Sequence, residues 1–168
     1  MRRPAIRGTV IYRAMNAGEE QQVCDVVVRV FHEFVAPLYS AAGVQEFLTY
    51  GADPDQLRGR LLSNHSVLVA EIQGRIVGVI EVRDSDHISL FFTDGEAQRK
   101  GIGRELWRRA LDACVSSQPD VARITVNSSP NAVEAYQKLG FQVEGAEQTV
   151  NGIRFVPMAF AVQRSDGN

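Results

Sequence analysis

Apolar residues recur with helical spacing in two long segments of the chain. In the first, six apolar residues from Val23 to Phe34 follow one another at alternating intervals of three positions and one. This spacing marks one face of an α-helix, which Pro37 ends. The second segment carries its apolar face at Gly103, Leu106, Trp107, Ala110, Leu111 and Cys114. Between them, residues 43–49 and 54–62 predict one or two shorter helices.

Between residues 66 and 93 the apolar pattern changes to that of β-strands. Residues 66–72 and 75–82 are rich in β-branched residues and are joined at Gln73-Gly74, a hairpin signal. A third such run covers residues 87–93. Three strands with short links predict an antiparallel meander. A further short strand is predicted near the N-terminus, at residues 9–13.

The last third of the chain alternates short strands and a helix. A strand is predicted at residues 123–126. Ser129 and Pro130 then favour a helix start, and Gly140 favours its end after residues 131–139. Two more strands are predicted at residues 141–144 and 152–162, with Asn151-Gly152 as a strong hairpin turn. The order predicts one domain at residues 9–163, of the α/β class, with a mixed seven-stranded sheet and helices on both faces.

Composition and charge exclude several classes of protein. The 168 residues carry a net charge of −2, which gives no support to nucleic-acid binding. No apolar run approaches the roughly 20 residues of a membrane span, and Met1–Pro4 starts no signal peptide. Cys24 and Cys114 are expected to be buried, reduced thiols, and no Cys/His cluster has the spacing of a metal site. The expected location is therefore the cytoplasm.

Candidate chemistry concentrates where the strand of residues 87–93 leads into the second long helix. Gly101 and Gly103 stand at the helix start, where free backbone N–H groups and the helix dipole favour a phosphate. Arg99, Lys100 and Arg104 add positive charge. The P-loop pattern is absent, and a dinucleotide fingerprint would need a third glycine at Leu106. A turn that only packs a helix against a strand is the structural alternative.

Two motifs together resemble one family. Gln98, Gly101 and Gly103 are similar to the Gln/Arg-x-x-Gly-x-Gly/Ala acyl-CoA motif of the GCN5-related N-acetyltransferases (GNAT). Residues 127–141 resemble a later motif of the same family, with a tyrosine, a lysine and a closing Leu-Gly-Phe. The predicted order of strands and helices is also similar, from Thr9 to Val162. The resemblance therefore covers nearly the whole chain.

The resemblance implies a site for acetyl-CoA. The loop from Gln98 to Arg104 is expected to hold the pyrophosphate, and the strand edge at Phe91–Thr93 is expected to hold the pantetheine. The Phe91 amide is expected to donate to the acetyl carbonyl. Many members of the family carry Asn where this chain has Ser129. The implied cofactor-binding residues are Phe91, Phe92, Thr93, Gln98, Arg99, Lys100, Gly101, Ile102, Gly103, Arg104, Asn127, Ser129, Tyr136 and Lys138.

Transfer to an amine also needs an acid and a base. The family often places a tyrosine near the sulfur, so Tyr136 is the expected acid; its alternative is an aromatic residue that only covers the sheet. His87 is the expected base, because an even spacing of four puts it on the same strand face as Phe91. A histidine there departs from relatives that carry a glutamate, and a structural histidine is its alternative. Glu81 is the reserve candidate, acting through a water, unless it only faces solvent.

The expected function is an N-acetyltransferase that moves an acetyl group from acetyl-CoA directly to a primary amine, with no metal. A non-catalytic acyl-CoA sensor or scaffold is the main alternative, and a nucleotide-binding enzyme is a weaker one. The acceptor stays open among protein N-termini, lysines, polyamines, amino acids and aminoglycosides. The resemblance implies that residues 34–62 and 147–157 shape its groove. Neither nucleic acid nor membrane is an expected partner, and a homodimer is left open.

Overall fold

A computed structural model describes residues 6–164. The segment Met1–Pro4, where the sequence predicts no signal peptide, lies outside the described residues. The strands are β1 (Val10–Ala14), β2 (His65–Ile72), β3 (Arg75–Arg83), β4 (His87–Thr93), β5 (Arg123–Ser128), β6 (Gln142–Val143), β7 (Gln148–Val150) and β8 (Ile153–Ala161). The α-helices are α1 (Glu20–Phe34), α2 (Ala41–Gly51), α3 (Pro54–Leu61), α4 (Ile102–Ser117) and α5 (Val133–Lys138).

One mixed sheet organises the molecule. Its strand order is β1-β2-β3-β4-β5-β8-β6, and β7 pairs with β8 beside this path. The β4–β5 pair is parallel, and every other pair among the described strands is antiparallel. The predicted α/β class and mixed sheet are confirmed. The count differs by one strand, because the sequence pattern did not predict β7.

The helices cover the two faces of the sheet with separate apolar clusters. The face covered by α1 and α3 buries valines of α1 against Leu57, Val79 and Leu90. The face covered by α4 and α5 buries Leu106 and Trp107 with residues of five strands. Cys24 lies in the first cluster and Cys114 in the second, both buried and free. The expectation of two reduced thiols is confirmed.

The C-terminal hairpin is closed by a two-residue turn, as predicted. Asn151 and Gly152 both have positive φ, 52° and 80°, the conformation of a type I′ turn. The hairpin packs tightly on α2, since a Cβ added to Gly43 would lie 2.0 Å from the Gly152 carbonyl oxygen. This contact fixes α2 against the C-terminal hairpin.

The described residues contain neither a membrane-spanning helix nor a candidate metal site. None of their helices is long and apolar enough to cross a membrane. Within residues 6–164, no group of three or more His, Cys, Asp or Glu side chains has the arrangement of a metal site.

Candidate active site

The central feature is a cleft where β4 and β5 separate. The two strands pair only at His87 with Thr125 and at Ile88 with Val126. Beyond this point the β5-facing edge of β4 is free, and a cavity of about 660 Å³ opens between the strands. Residues from both faces of the sheet line it.

The α4 end of the cleft is built to receive an anion. Gly101 caps α4 in the left-handed conformation, with φ 75°, and Gly103 follows in the first turn. A Cβ on Gly103 would approach Thr93 Oγ1 at 3.7 Å, so the helix start lies close to the end of β4. Arg99, Arg104 and Lys138 line this end, and no Asp or Glu is among the described residues that line the cleft. Free helix N–H groups and cations fit a pyrophosphate.

The predicted cofactor-binding residues converge on this cleft with one exception. The predicted residues that do line the cleft are Phe91, Phe92, Thr93, Gln98, Arg99, Gly101, Ile102, Gly103, Arg104, Asn127, Ser129, Tyr136 and Lys138. Lys100 does not, because its Nζ donates to the carbonyl of Ile6. The Gln98 side chain donates to the Thr93 carbonyl at 3.0 Å and ties the loop to β4.

Tyr136 lies in the wall of the cleft opposite the end of β4. Its side chain is buried, and its ring packs against Phe91 and Phe141 with centroids 6.0 and 5.3 Å apart. Burial raises the pKa of this phenol. The hydroxyl therefore stays protonated at neutral pH and is able to donate a proton.

His87 lies outside the cleft, and the prediction that it shares a face with Phe91 is wrong. The β3–β4 register shifts by one residue, because Glu81 pairs with Leu90 and Val82 with Ile88. Ser89 is the extra residue of this β-bulge, and Ile88 and Phe91 therefore join the same apolar cluster. His87 points to the other face, where its Nδ1 lies 2.7 Å from Thr125 Oγ1. Burial and Arg83 lower its pKa.

Glu81, the reserve base, is buried and held in an ion pair. Arg60 donates to both of its carboxylate oxygens, at 3.0 and 3.1 Å. The Tyr50 hydroxyl donates to Oε2 at 3.2 Å, and His65 Nδ1 lies 3.3 Å from the same oxygen. Glu81 is 1% exposed and does not line the cleft. Sequence reasoning missed these partners, which are 16 to 31 positions away.

The end of the cleft away from α4 is apolar. We call it the acceptor end; its side chains are those of Val30, Phe34, Val35, Tyr39, Phe47, Leu90 and Phe92. Four of them come from residues 34–62, the segment that the family resemblance implied. The hairpin of residues 147–157 contributes no lining side chain. Instead it supports the wall, since the Tyr39 hydroxyl donates to the Arg154 carbonyl at 3.1 Å.

Comparisons with known proteins agree with this architecture. The family model described as an acetyltransferase (GNAT) domain matches residues 35–162. The chain therefore belongs to the GNAT family, and it is an N-acetyltransferase by class. A search of curated proteins found no match.

Solved structures share the fold at low sequence identity. One is a GCN5-related N-acetyltransferase from Rhodopseudomonas palustris, 22% identical, with a TM-score of 0.77 over 92% of this chain and 97% of the other. Another is the PaiA N-acetyltransferase of Thermoplasma acidophilum in complex with coenzyme A. It is 18% identical, with a TM-score of 0.74 over 92% and 99% of the two chains. The ribosomal-protein-S18-alanine N-acetyltransferase of Escherichia coli is 15% identical, with a TM-score of 0.65 over 95% and 98%.

Proposed function

We propose that residues 9–163 form one catalytic domain that transfers an acetyl group from acetyl-CoA directly to a primary amine. The observation that carries this proposal is the cleft itself. Its α4 end offers backbone N–H groups and cationic side chains, its middle holds a buried tyrosine, and its acceptor end is apolar. Acetyl-CoA supplies an activated thioester, which an amine can attack without a metal.

The chain's own groups have separate tasks. The start of α4, with Arg99 and Arg104, binds the pyrophosphate. The free edge of β4 after Ile88 pairs with the pantetheine amides in the manner of an additional strand. The Phe91 amide donates to the thioester carbonyl oxygen and stabilises its negative charge as the amine attacks.

Proton transfer completes the reaction. The N–C bond forms as the C–S bond breaks, and the Tyr136 hydroxyl gives its proton to the leaving thiolate. The acylated nitrogen releases a proton to solvent, and Tyr136 regains one from solvent. None of the described lining residues is Asp, Glu or His. The amine therefore loses its proton before it binds, since an apolar surrounding disfavours the ammonium form.

Direct transfer fits the position of the two cysteines. Cys24 and Cys114 are buried in the two core clusters rather than in the cleft wall. Burial raises the pKa of each thiol to about 11, so neither is a thiolate nucleophile at neutral pH.

The test is a turnover assay with purified protein, acetyl-CoA and a panel of primary amines. We expect release of free CoA thiol only when an amine is present, with an equal amount of N-acetylated amine by mass spectrometry. Binding of CoA without amine-dependent thiol release would contradict the proposal. It would favour a non-catalytic acyl-CoA sensor.

A further inference from the structure

The acceptor end of the cleft is apolar on several sides. Phe34 and Val35 come from the end of α1, Phe47 from α2, and Leu90 and Phe92 from β4. The rings of Phe47 and Phe92 meet edge to face, with centroids 5.9 Å apart, and Phe47 stacks on the buried Phe31 at 4.0 Å. These contacts fix the rings. The wall is therefore a preformed surface for a hydrocarbon group.

Charged acceptors find no partner at this end. A polyamine or an aminoglycoside needs carboxylates for its additional ammonium groups, and none of the described lining residues is acidic. A free amino acid needs a cation for its carboxylate. The lining cations Arg99 and Arg104 flank the start of α4, where the proposed function assigns the pyrophosphate to them, and Lys138 comes from α5.

We propose that the acceptor is a primary amine that carries one uncharged hydrocarbon group, aromatic or aliphatic. This inference rests on the proposed acetyl transfer and narrows it to a substrate class. The hydrocarbon group packs against Phe34, Phe47 and Phe92.

The first test compares amines on the unaltered protein. We expect kcat/KM for 2-phenylethylamine to exceed that for spermidine or kanamycin by at least about 100-fold. From n-butylamine to n-hexylamine it should rise about fourfold per methylene, which corresponds to about 0.8 kcal/mol of burial. Acetylation of spermidine or kanamycin at the rate of 2-phenylethylamine would overturn the acceptor class and leave the proposed function intact. No turnover with any amine would overturn both.

The second test uses variants. Phe34→Glu should lower kcat/KM for 2-phenylethylamine at least tenfold. It should also reduce the ratio of kcat/KM for 2-phenylethylamine to kcat/KM for spermidine. The matched control is Leu62→Glu, because Leu62 is 86% exposed and lies outside the cleft. Equal behaviour of the two glutamate variants would contradict the proposal.

Discussion

The ring of Tyr136 meets the ring of Phe91 edge to face, with centroids 6.0 Å apart. Phe91 lies on β4 and Tyr136 on the short α5 that follows β5, so this contact spans the opening between the two strands. Both residues line the cleft, Phe91 from β4 and Tyr136 from α5. In the proposed mechanism the acid and the oxyanion donor therefore come from the two sides of one cleft.

Replacement of Tyr136 by Phe should lower the rate of acetyl transfer without weakening the binding of acetyl-CoA. The phenyl ring keeps the contacts with Phe91 and Phe141, so the melting temperature and KM for acetyl-CoA should change little. We expect kcat to fall about 100-fold, the usual contribution of a positioned acid. Steady-state kinetics measure both values. An unchanged kcat, with acetyl transfer shown to limit turnover, would remove Tyr136 from the acid role.

The raised pKa of Tyr136 also determines how kcat should depend on pH in the alkaline range. Burial raises it above the ordinary value of 10.0, so the phenol keeps its proton throughout the neutral and mildly alkaline range. The kcat profile should therefore show no alkaline fall below pH 10 from this group. A fall in kcat between pH 8 and 9 that Tyr136→Phe abolishes would contradict this assignment.

His87→Gln should leave catalysis unchanged and alter stability in acid. Its pKa in the folded state is below the ordinary 6.5, so the unfolded chain binds the proton more readily. Stability is then lost as the pH falls through about 6.5, and this loss should be smaller in His87→Gln. Melting temperatures at pH 7.5 and 5.5 test it. The kcat/KM pH profile should be identical to that of the unaltered protein, and loss of its acidic limb would restore His87 as the base.

Gly43→Ala should destabilise the packing of α2 against the C-terminal hairpin, which supports the acceptor end. The new Cβ would lie 2.0 Å from the Gly152 carbonyl oxygen, so α2 or the hairpin must move. We expect a cost of about 2–3 kcal/mol and a melting temperature lower by roughly 5–10 °C. Gly59→Ala is the matched control, since its Cβ meets open space in α3, and it should be neutral or stabilising. Equal effects of the two variants would contradict the packing argument.

Arg60→Met should leave the buried Glu81 carboxylate without its main partner. An uncompensated buried charge costs about 3–5 kcal/mol, which thermal or urea unfolding measures. Arg108→Met is the control, because Arg108 is 56% exposed and pairs with Glu105 and with the exposed Asp112. Its loss should cost less than about 1 kcal/mol. A similar loss of unfolding free energy in the two variants would show that the buried Glu81 ion pair contributes no more to stability than an exposed pair.

Sequence patterns predict features that neighbouring residues determine. The loop from Gln98 to Arg104 and the segment of residues 127–141 are each continuous in sequence, so their motifs can be recognised from the sequence alone. Both segments contribute residues to the cleft. The Asn151-Gly152 turn is equally local. The α1 and α4 faces follow from helical spacing, and the structure buries most of the predicted residues.

Features that depend on distant residues were not predictable in the same way. The extra residue Ser89 interrupts the alternation of side chains along β4, and no local sequence signal marks this bulge. The prediction that His87 and Phe91 share a face was therefore wrong. The Arg60–Glu81 ion pair joins α3 to β3 and needs the tertiary fold. Strand β7 has three exposed residues and no alternation, so only its pairing with β8 reveals it. Lys100 has a suitable position in the loop, but Ile6 holds its side chain elsewhere.

The most direct test of the central claim is a thermal-shift titration with acetyl-CoA, CoA, ATP and NAD in parallel. At 100 times its Kd a ligand stabilises the fold by about 2.7 kcal/mol, which is roughly 5–10 °C for a domain of this size. We expect this rise with acetyl-CoA and CoA alone, its loss in Gly103→Glu, and its retention in Gly59→Glu. No rise with either CoA species, or a full response in Gly103→Glu, would contradict the assignment of the cleft.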